Sequence, residues 1–217
     1  KVTFRDKFYI RMQLNNTNLA LIDKNHYDRA HFGEAENLFL EALELALSRD
    51  QALGAATAQM NLGTIATERG DHPRAVDYYQ QARSTFADQG HRSYETLVLA
   101  MIGLAQLDEG AAATARRSFE TALQMALATG DLKAQVLTEC WHGLAHWLDG
   151  ETAAAFVRLR ASVTAMRELS NPKHYAFAHA YFGAILAHQG RIGEARQELR
   201  LARYLVQQTG NRNNLDT

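Results

Sequence analysis

The sequence predicts an all-α fold, a solenoid of stacked antiparallel helix pairs. The main observation is a forty-residue period in its small residues, which recur as Gly63, Gly103, Gly143 and Gly183. The same period relates Gly70, Gly110, Gly150 and Gly190, and also Ala75, Ala115, Ala155 and Ala195. The second observation is a composition with 47% hydrophobic residues and only two prolines, which favours helices. Self-similarity at one fixed period of this length is typical of stacked repeats.

The bulk properties exclude several classes of protein. A formal net charge of −1 argues against a general binder of nucleic acid or anionic membrane, because both need a basic surplus. The single cysteine, Cys140, excludes an intramolecular disulfide framework and fits a reducing compartment. No apolar run reaches the roughly 18–20 residues of a membrane span, and no signal peptide is evident. We therefore expect a cytoplasmic location. We interpret the chain, which begins at Lys1, as part of a longer protein.

The period divides the chain into a leading segment and one solenoid domain. Residues 1–15 are predicted to be a truncated leading helix or a capping segment. Residues 16–215 are predicted to form five repeats, with boundaries at 16–55, 56–95, 96–135, 136–175 and 176–215. The first repeat is the least regular, because Asp23 stands where the later repeats have glycine.

The second repeat shows the pattern most clearly. Helix A is predicted from about Gly54 to Arg69, and helix B from about Pro73 to Gln89. Gly70 suits the positive φ that follows a helix end, and Asp71 can cap the next helix with its side chain. The small residue Gly63 lets the two helices approach closely, so a bulkier residue there would overpack the contact.

These residues resemble the tetratricopeptide-repeat family. The resemblance rests on the sets Gly63/Ala75/Tyr79/Ala82, Gly103/Ala115/Phe119/Ala122, Gly143/Ala155/Leu159/Ser162 and Gly183/Ala195/Leu199/Ala202. It implies a right-handed superhelix whose A helices line an inner, partner-binding face. The family's usual period is shorter than forty and often includes a proline near the end of helix B. The longer period resembles Pins-like scaffolds, kinesin light chain repeats and the sensor arms of MalT-like bacterial regulators.

The resemblance also implies which residues line the inner groove. The predicted partner-binding residues are Met60, Thr64, Leu97, Leu104, Leu107, Leu137, Cys140, Leu144, Trp147 and Phe177. Most of them are apolar, which suits an amphipathic helix or a hydrophobic peptide better than a clamped carboxylate. The alternative is that these residues pack against neighbouring helices or are covered by another domain.

Two histidines form the sharpest candidate for metal chemistry. His142 and His146 lie four residues apart and therefore share one face of a helix, with Glu139 one turn earlier and His179 in the next repeat. The glutamate is misplaced for an H-E-x-x-H zinc motif. His142 also stands where the other repeats have Leu62, Ile102 and Phe182, which favours a buried core histidine. We predict no metal site, no cofactor and no catalytic residues.

The sequence therefore predicts a non-catalytic module that binds a protein or peptide in the inner groove. We expect it to be the interaction or sensor arm of a larger bacterial regulatory protein involved in signal transduction. The alternatives are a peptide-sensing domain of a transcriptional regulator and a self-assembly module. Neither nucleic acid nor membrane is an expected partner of this segment. Arg196, Arg200 and Arg203 line one side of the last helix, and the intervening glutamates predict an ordinary solvated face.

Overall fold

The chain is all-α, as the sequence predicts. The computed structural model describes residues 29–166 and 172–212, which contain nine α-helices and no strand. The helices are α1 Arg29–Ser48, α2 Ala52–Glu68, α3 His72–Asp88, α4 Arg92–Asp108, α5 Ala112–Thr129, α6 Leu132–Leu148, α7 Thr152–Met166, α8 Pro172–His188 and α9 Ile192–Arg212. The predicted leading segment 1–15 and the irregular Asp23 lie outside the described residues.

Helix starts follow the forty-residue period. The helices α2, α4, α6 and α8 begin at Ala52, Arg92, Leu132 and Pro172, and these are the A helices of the pattern. Their partners α3, α5, α7 and α9, which begin at His72, Ala112, Thr152 and Ile192, are the B helices. By the same spacing α1 is the B helix of the first repeat. The division of 16–215 into five repeats stays a prediction, because residues 16–28 lie outside the described part of the chain.

The described residues divide into two compact units, one ending at Trp141 and the other beginning at His142 within α6. In the first unit, α2 and α3 run antiparallel: the Gln59 side chain donates to Gln81 Oε1 at 2.8 Å, and Thr67 Oγ1 lies 3.4 Å from the Tyr79 hydroxyl. The largest side chains of its core, almost without solvent exposure, are Leu62, Ile65, Phe86, Val98 and Phe119. In the second unit the corresponding side chains are Leu159, Met166, Ile185 and Leu186.

The motif glycines allow the paired helices to touch. A Cβ atom added at Gly63 would lie 2.6 Å from the Tyr79 ring, and one added at Gly103 would lie 2.8 Å from Phe119. No side chain fits at such distances, so the A helix must be bare where the B-helix ring crosses it. This contact is the physical reason for the strict spacing between the glycine and the large residue sixteen positions later.

The predicted turn and cap of the second repeat are confirmed. Gly70 has a φ of +78°, which glycine adopts without steric penalty. Asp71 then accepts a hydrogen bond from the Arg74 backbone N–H at 3.3 Å and so caps α3. The sequence pattern did not anticipate Asp50, which takes a φ of +54° where the next repeat has Gly90.

Candidate functional site

The accessible part of the predicted groove in the first unit lies on α2 and the first half of α4. Met60, Thr64 and Leu97 are half-buried, so each keeps part of its side chain in solvent. The other predicted residues of this unit are buried, with at most 7% exposure: Leu104, Leu107, Leu137 and Cys140. A partner could therefore contact the first three residues directly, whereas the other four are shielded from solvent.

The predicted residues of the second unit are buried. Leu144 and Trp147 on α6 retain 6% and 8% exposure, and Phe177 on α8 retains 5%. In the sequence-based hypothesis Leu144 and Trp147 stand at the centre of the groove. Their burial means that they pack within the structure, which was the alternative left open by the sequence. Whether any of the ten residues contacts a partner stays a prediction.

The hydroxyl groups on the accessible surface are engaged within the protein. Thr64 Oγ1 donates to the Met60 carbonyl at 3.1 Å, and the Tyr79 hydroxyl donates to Thr64 Oγ1 at 3.3 Å. One turn earlier, Thr57 Oγ1 donates to the Leu53 carbonyl at 2.8 Å. These bonds leave methyl and thioether groups as the atoms free to contact a ligand. The surface is therefore suited to apolar side chains, and a methionine adapts readily to their shape.

The structure also contains a groove that the sequence analysis missed. It has a volume of about 370 Å³ and is lined by α1 and α2 through Phe39, Ala42, Leu53, Gly54, Thr57, Ala58 and Asn61. This size falls in the range of about 300–1,000 Å³ typical of ligand sites. Its position can be understood from the register. Phe39 and Ala42 correspond to Tyr79 and Ala82, which are buried.

The sequence carried a signal for this groove. In the second repeat, bare Gly63 receives the ring of Tyr79. Forty residues earlier, Asp23 stands at the position of that glycine and Phe39 at the position of the tyrosine. The matched pair of small residue and large residue is thus absent from the first repeat. This departure of the first repeat from the pattern coincides with the groove. The sequence analysis treated it only as an irregularity.

Ion pairs connect α1 to the repeat that follows it. Glu36 on α1 forms ion pairs with Arg69 and with Arg74, the latter at 3.2 Å. The pKa of Arg74 is raised, chiefly by its hydrogen bond to the Tyr78 hydroxyl, with the charge of Glu36 contributing. These contacts place α1 against α2 and α3, and so they help to hold both walls of the groove.

The histidines of the metal hypothesis are engaged in other contacts. The His142 and His146 rings stack with centroids 4.7 Å apart and planes at 26°. His146 Nδ1 lies 2.5 Å from Glu151, and His179 Nδ1 lies 2.5 Å from Glu198. Within residues 29–166 and 172–212, no group of three or more potential metal ligands comes together. The histidines are buried, as predicted for His142.

A comparison with protein families identifies the repeats. Residues 25–88 match the model of the tetratricopeptide repeat. Residues 25–88 carry tetratricopeptide repeats. The matched stretch includes α1, α2 and α3, and so contains both walls of the groove. The resemblance to this family that the sequence pattern suggested is therefore confirmed. The finer assignment to one of its forty-residue subtypes stays a prediction.

Several solved structures share the fold of this chain. The Rap conjugation gene regulator of plasmid pLS20, in complex with the Phr* peptide, is 16% identical and superimposes with a TM-score of 0.66 over 94% of this chain. The apo form of RapI is 11% identical with a TM-score of 0.64 over 94% of this chain. A chain of Podosopora anserina described as a kinesin light chain with nearly identical TPR-like repeats is 14% identical, with a TM-score of 0.58 over 93%.

The extent of these matches differs. This chain covers 65% of the length of the pLS20 regulator and 54% of that of RapI, but 97% of the kinesin light chain structure. At these identities the likeness shows the fold alone. No curated protein sequence matches the chain significantly. None of the described helices combines the length and hydrophobicity that a membrane span requires.

Proposed function

We propose that this chain is a non-catalytic module that binds a peptide or an amphipathic segment of another protein. The observation that carries the proposal is a set of accessible apolar groups on α1, α2 and α4. It includes the groove at Phe39 and Leu53 and the half-buried Met60 and Leu97. Membership of the tetratricopeptide-repeat family supports it, because such repeats present extended binding surfaces.

The chemistry of this surface defines the class of ligand. An amphipathic helix or a hydrophobic peptide can insert one apolar side chain into the groove of about 370 Å³ and lay others along Met60 and Leu97. The nearby threonine hydroxyls are hydrogen-bonded within the protein. Binding of a ligand therefore removes few hydrogen bonds between the protein and water. Affinity would come mainly from the burial of apolar surface, at about 25 cal/mol per Å² before the costs of association.

The regulatory setting is a further part of the proposal. The pLS20 regulator, which shares the fold, is described in complex with a peptide, and this supports a peptide-sensing role for a chain of the same architecture. We propose that the chain is the interaction or sensor arm of a larger bacterial regulatory protein that acts in signal transduction. The buried and only cysteine, Cys140, suits a reducing cytoplasm.

A second candidate is a peptide-sensing domain of a transcriptional regulator. It is favoured by the description of the pLS20 protein as a conjugation gene regulator. The two candidates differ in what the ligand controls, not in where it binds. With a net charge of −1, we do not expect this segment to contact DNA itself.

Selection from a phage-displayed library of random short peptides tests the binding proposal. We expect apolar peptides to be enriched, and we expect Met60→Glu with Leu97→Glu to weaken their binding by about tenfold or more. A desolvated carboxylate facing an apolar ligand costs well over the 1.4 kcal/mol that corresponds to that factor. Fluorescence anisotropy with an enriched, labelled peptide measures the affinity.

The matched control is Leu127→Glu on α5, because Leu127 is 59% exposed and lies outside the proposed surface. This variant should bind like the unmodified chain. Circular dichroism of all variants verifies that they are folded. Equal binding by the Met60/Leu97 variant and the control would refute the proposed surface.

A further inference from the structure

Exposed large apolar side chains concentrate on the first and last described helices. The helix α1 exposes Leu38, Leu40, Leu45 and Leu47, and α9 exposes Ile192, Leu199, Leu201 and Tyr204. Among the described helices between them, α4, α5, α6 and α7 expose one such residue each. Clustered exposed apolar groups are typical of interaction surfaces, whereas scattered ones need no explanation.

Comparison within the repeats shows that this exposure is not a general property of B helices. At the register of Leu40, the helices α3, α5 and α7 carry exposed Gln80, Glu120 and Arg160. At the register of Tyr204, they carry exposed Ser84, Gln124 and Thr164. At these two registers the inner B helices thus present polar groups to solvent, whereas α1 presents Leu40 at the first and α9 presents Tyr204 at the second.

Leu199 shows the same unusual exposure at a position that is buried in the other repeats. Its counterparts Tyr79, Phe119 and Leu159 are at most 2% exposed, whereas Leu199 is 42% exposed. Leu199 does contact its own A helix, because a Cβ atom at Gly183 would lie 2.9 Å from it. Leu199 therefore contacts its own A helix as a core residue does, but much of its side chain is exposed to solvent, unlike the side chains of its counterparts.

The charges on the two helices are opposite in sign. On α1, exposed Glu41 and Glu44 form no ion pair within the described residues. On α9, exposed Arg196, Arg200 and Arg203 likewise have no ion pair in the described part of the chain.

The acidic residues of α9 do not neutralise these arginines. Glu194 pairs with Arg191 at 2.6 Å, a hydrogen bond that lowers the pKa of Glu194, and Glu198 pairs with His179. Arg196, Arg200 and Arg203 are exposed, as expected for a solvated face, and α9 also exposes Ile192, Leu199 and Tyr204.

We propose that α9 of one copy of this chain packs on α1 of a second copy. The α1 face consists of Leu38, Glu41, Glu44 and Leu45, and the α9 face of Ile192, Arg196, Leu199, Arg200, Arg203 and Tyr204. Both faces repeat leucine or isoleucine at a spacing of seven residues, as Leu38/Leu45 and Ile192/Leu199, which suits helix–helix packing. Glutamates on one face then meet arginines on the other.

The proposal differs from the peptide-binding function in both surface and partner. Because the contact joins two different faces, a pair of bound copies still offers one free α1 face and one free α9 face. Such heterologous contacts build rings or chains and do not stop at a symmetric dimer. Part of the attraction is between exposed charges, so the assembly should weaken as salt concentration rises.

Sedimentation velocity of the chain over a range of concentrations tests the proposal through charge reversal. The unmodified chain should form species larger than a dimer, while Glu41→Arg with Glu44→Arg should sediment as the 24.2 kDa monomer. The triple variant Arg196→Glu, Arg200→Glu, Arg203→Glu should also be monomeric. In each variant both faces carry the same sign, and we expect association to weaken by more than about a hundredfold.

Mixing the two variants provides the decisive result. Each α1 face then meets an α9 face of opposite charge on the other variant, so assembly should return in the mixture and in neither component. All substituted residues are exposed, and circular dichroism verifies that the variants are folded. A monomer at every concentration, association that survives both charge reversals, or a mixture that stays monomeric would each overturn the proposal.

Discussion

Replacement of Phe119 by alanine is expected to lower the free energy of unfolding by about 3–5 kcal/mol. Phe119 is fully buried in the first unit, and its ring lies against bare Gly103. Removing the ring leaves a cavity that the glycine cannot fill, so both the transfer energy and the packing contacts are lost. Urea unfolding followed by circular dichroism measures the change.

Leu127→Ala on the same helix is the control for this substitution. Its side chain is 59% exposed, and we expect a change within about 0.5 kcal/mol. A loss of less than about 1 kcal/mol for Phe119→Ala would show that the contact between α4 and α5 does not depend on this ring.

The substitution Gly63→Ala is expected to destabilise the chain by about 1–3 kcal/mol, although alanine is the better helix former. The new methyl group would lie 2.6 Å from the Tyr79 ring. That ring is 2% exposed, and its hydroxyl donates to Thr64, so it has little room to move. The helices α2 and α3 must therefore separate or the ring must leave its position. Thermal and urea unfolding measure the loss.

The same substitution at Gly33 on α1 should have the opposite sign. A Cβ atom at Gly33 meets no atom of the described residues within 4 Å, so only helix propensity changes, and we expect a gain of up to about 1 kcal/mol. If both substitutions changed stability in the same direction, the close approach at Gly63 would not be the reason for the glycine.

The helices and their pairing could be predicted because the repeat pattern fixes local geometry. The predicted A and B helices of the second repeat, about 54–69 and 73–89, compare with Ala52–Glu68 and His72–Asp88. A glycine that must be bare and a ring sixteen residues later specify one contact, and that contact recurs wherever the pair recurs. Turn glycines and the Asp71 cap act within a few residues, so they too could be read from the sequence.

The accessible surface could not be predicted in the same way. The register indicates which side of a helix Leu104, Leu144 and Trp147 occupy, but their burial depends on side chains that are distant in the sequence. The pairing of His179 with Glu198 similarly joins residues nineteen positions apart on two helices. No local spacing rule anticipates such a pair. From the sequence alone, the histidines could be considered as metal ligands because the carboxylate partners of His146 and His179 were not known.

The functional account thus rests on a smaller surface than the sequence suggested. The three accessible members of the predicted groove are Met60, Thr64 and Leu97, and the described residues contain no group of three or more potential metal ligands. Met60 and Thr64 share α2 with the groove at Leu53 and Thr57, and Leu97 lies on α4. The proposed binding role fits this arrangement, because accessible apolar groups on the helices of a repeat offer contact area to a partner.

Hydrogen–deuterium exchange of the chain, with and without a peptide enriched in the selection experiment, tests this binding role most directly. Bound peptide should slow exchange in α1, α2 and the first half of α4, and leave α5 unchanged, because α5 carries none of the proposed contacts. Protection at those three helices would support a peptide-binding module with its site at the groove and at Met60 and Leu97. Protection elsewhere with none at α1, α2 and α4 would contradict the account.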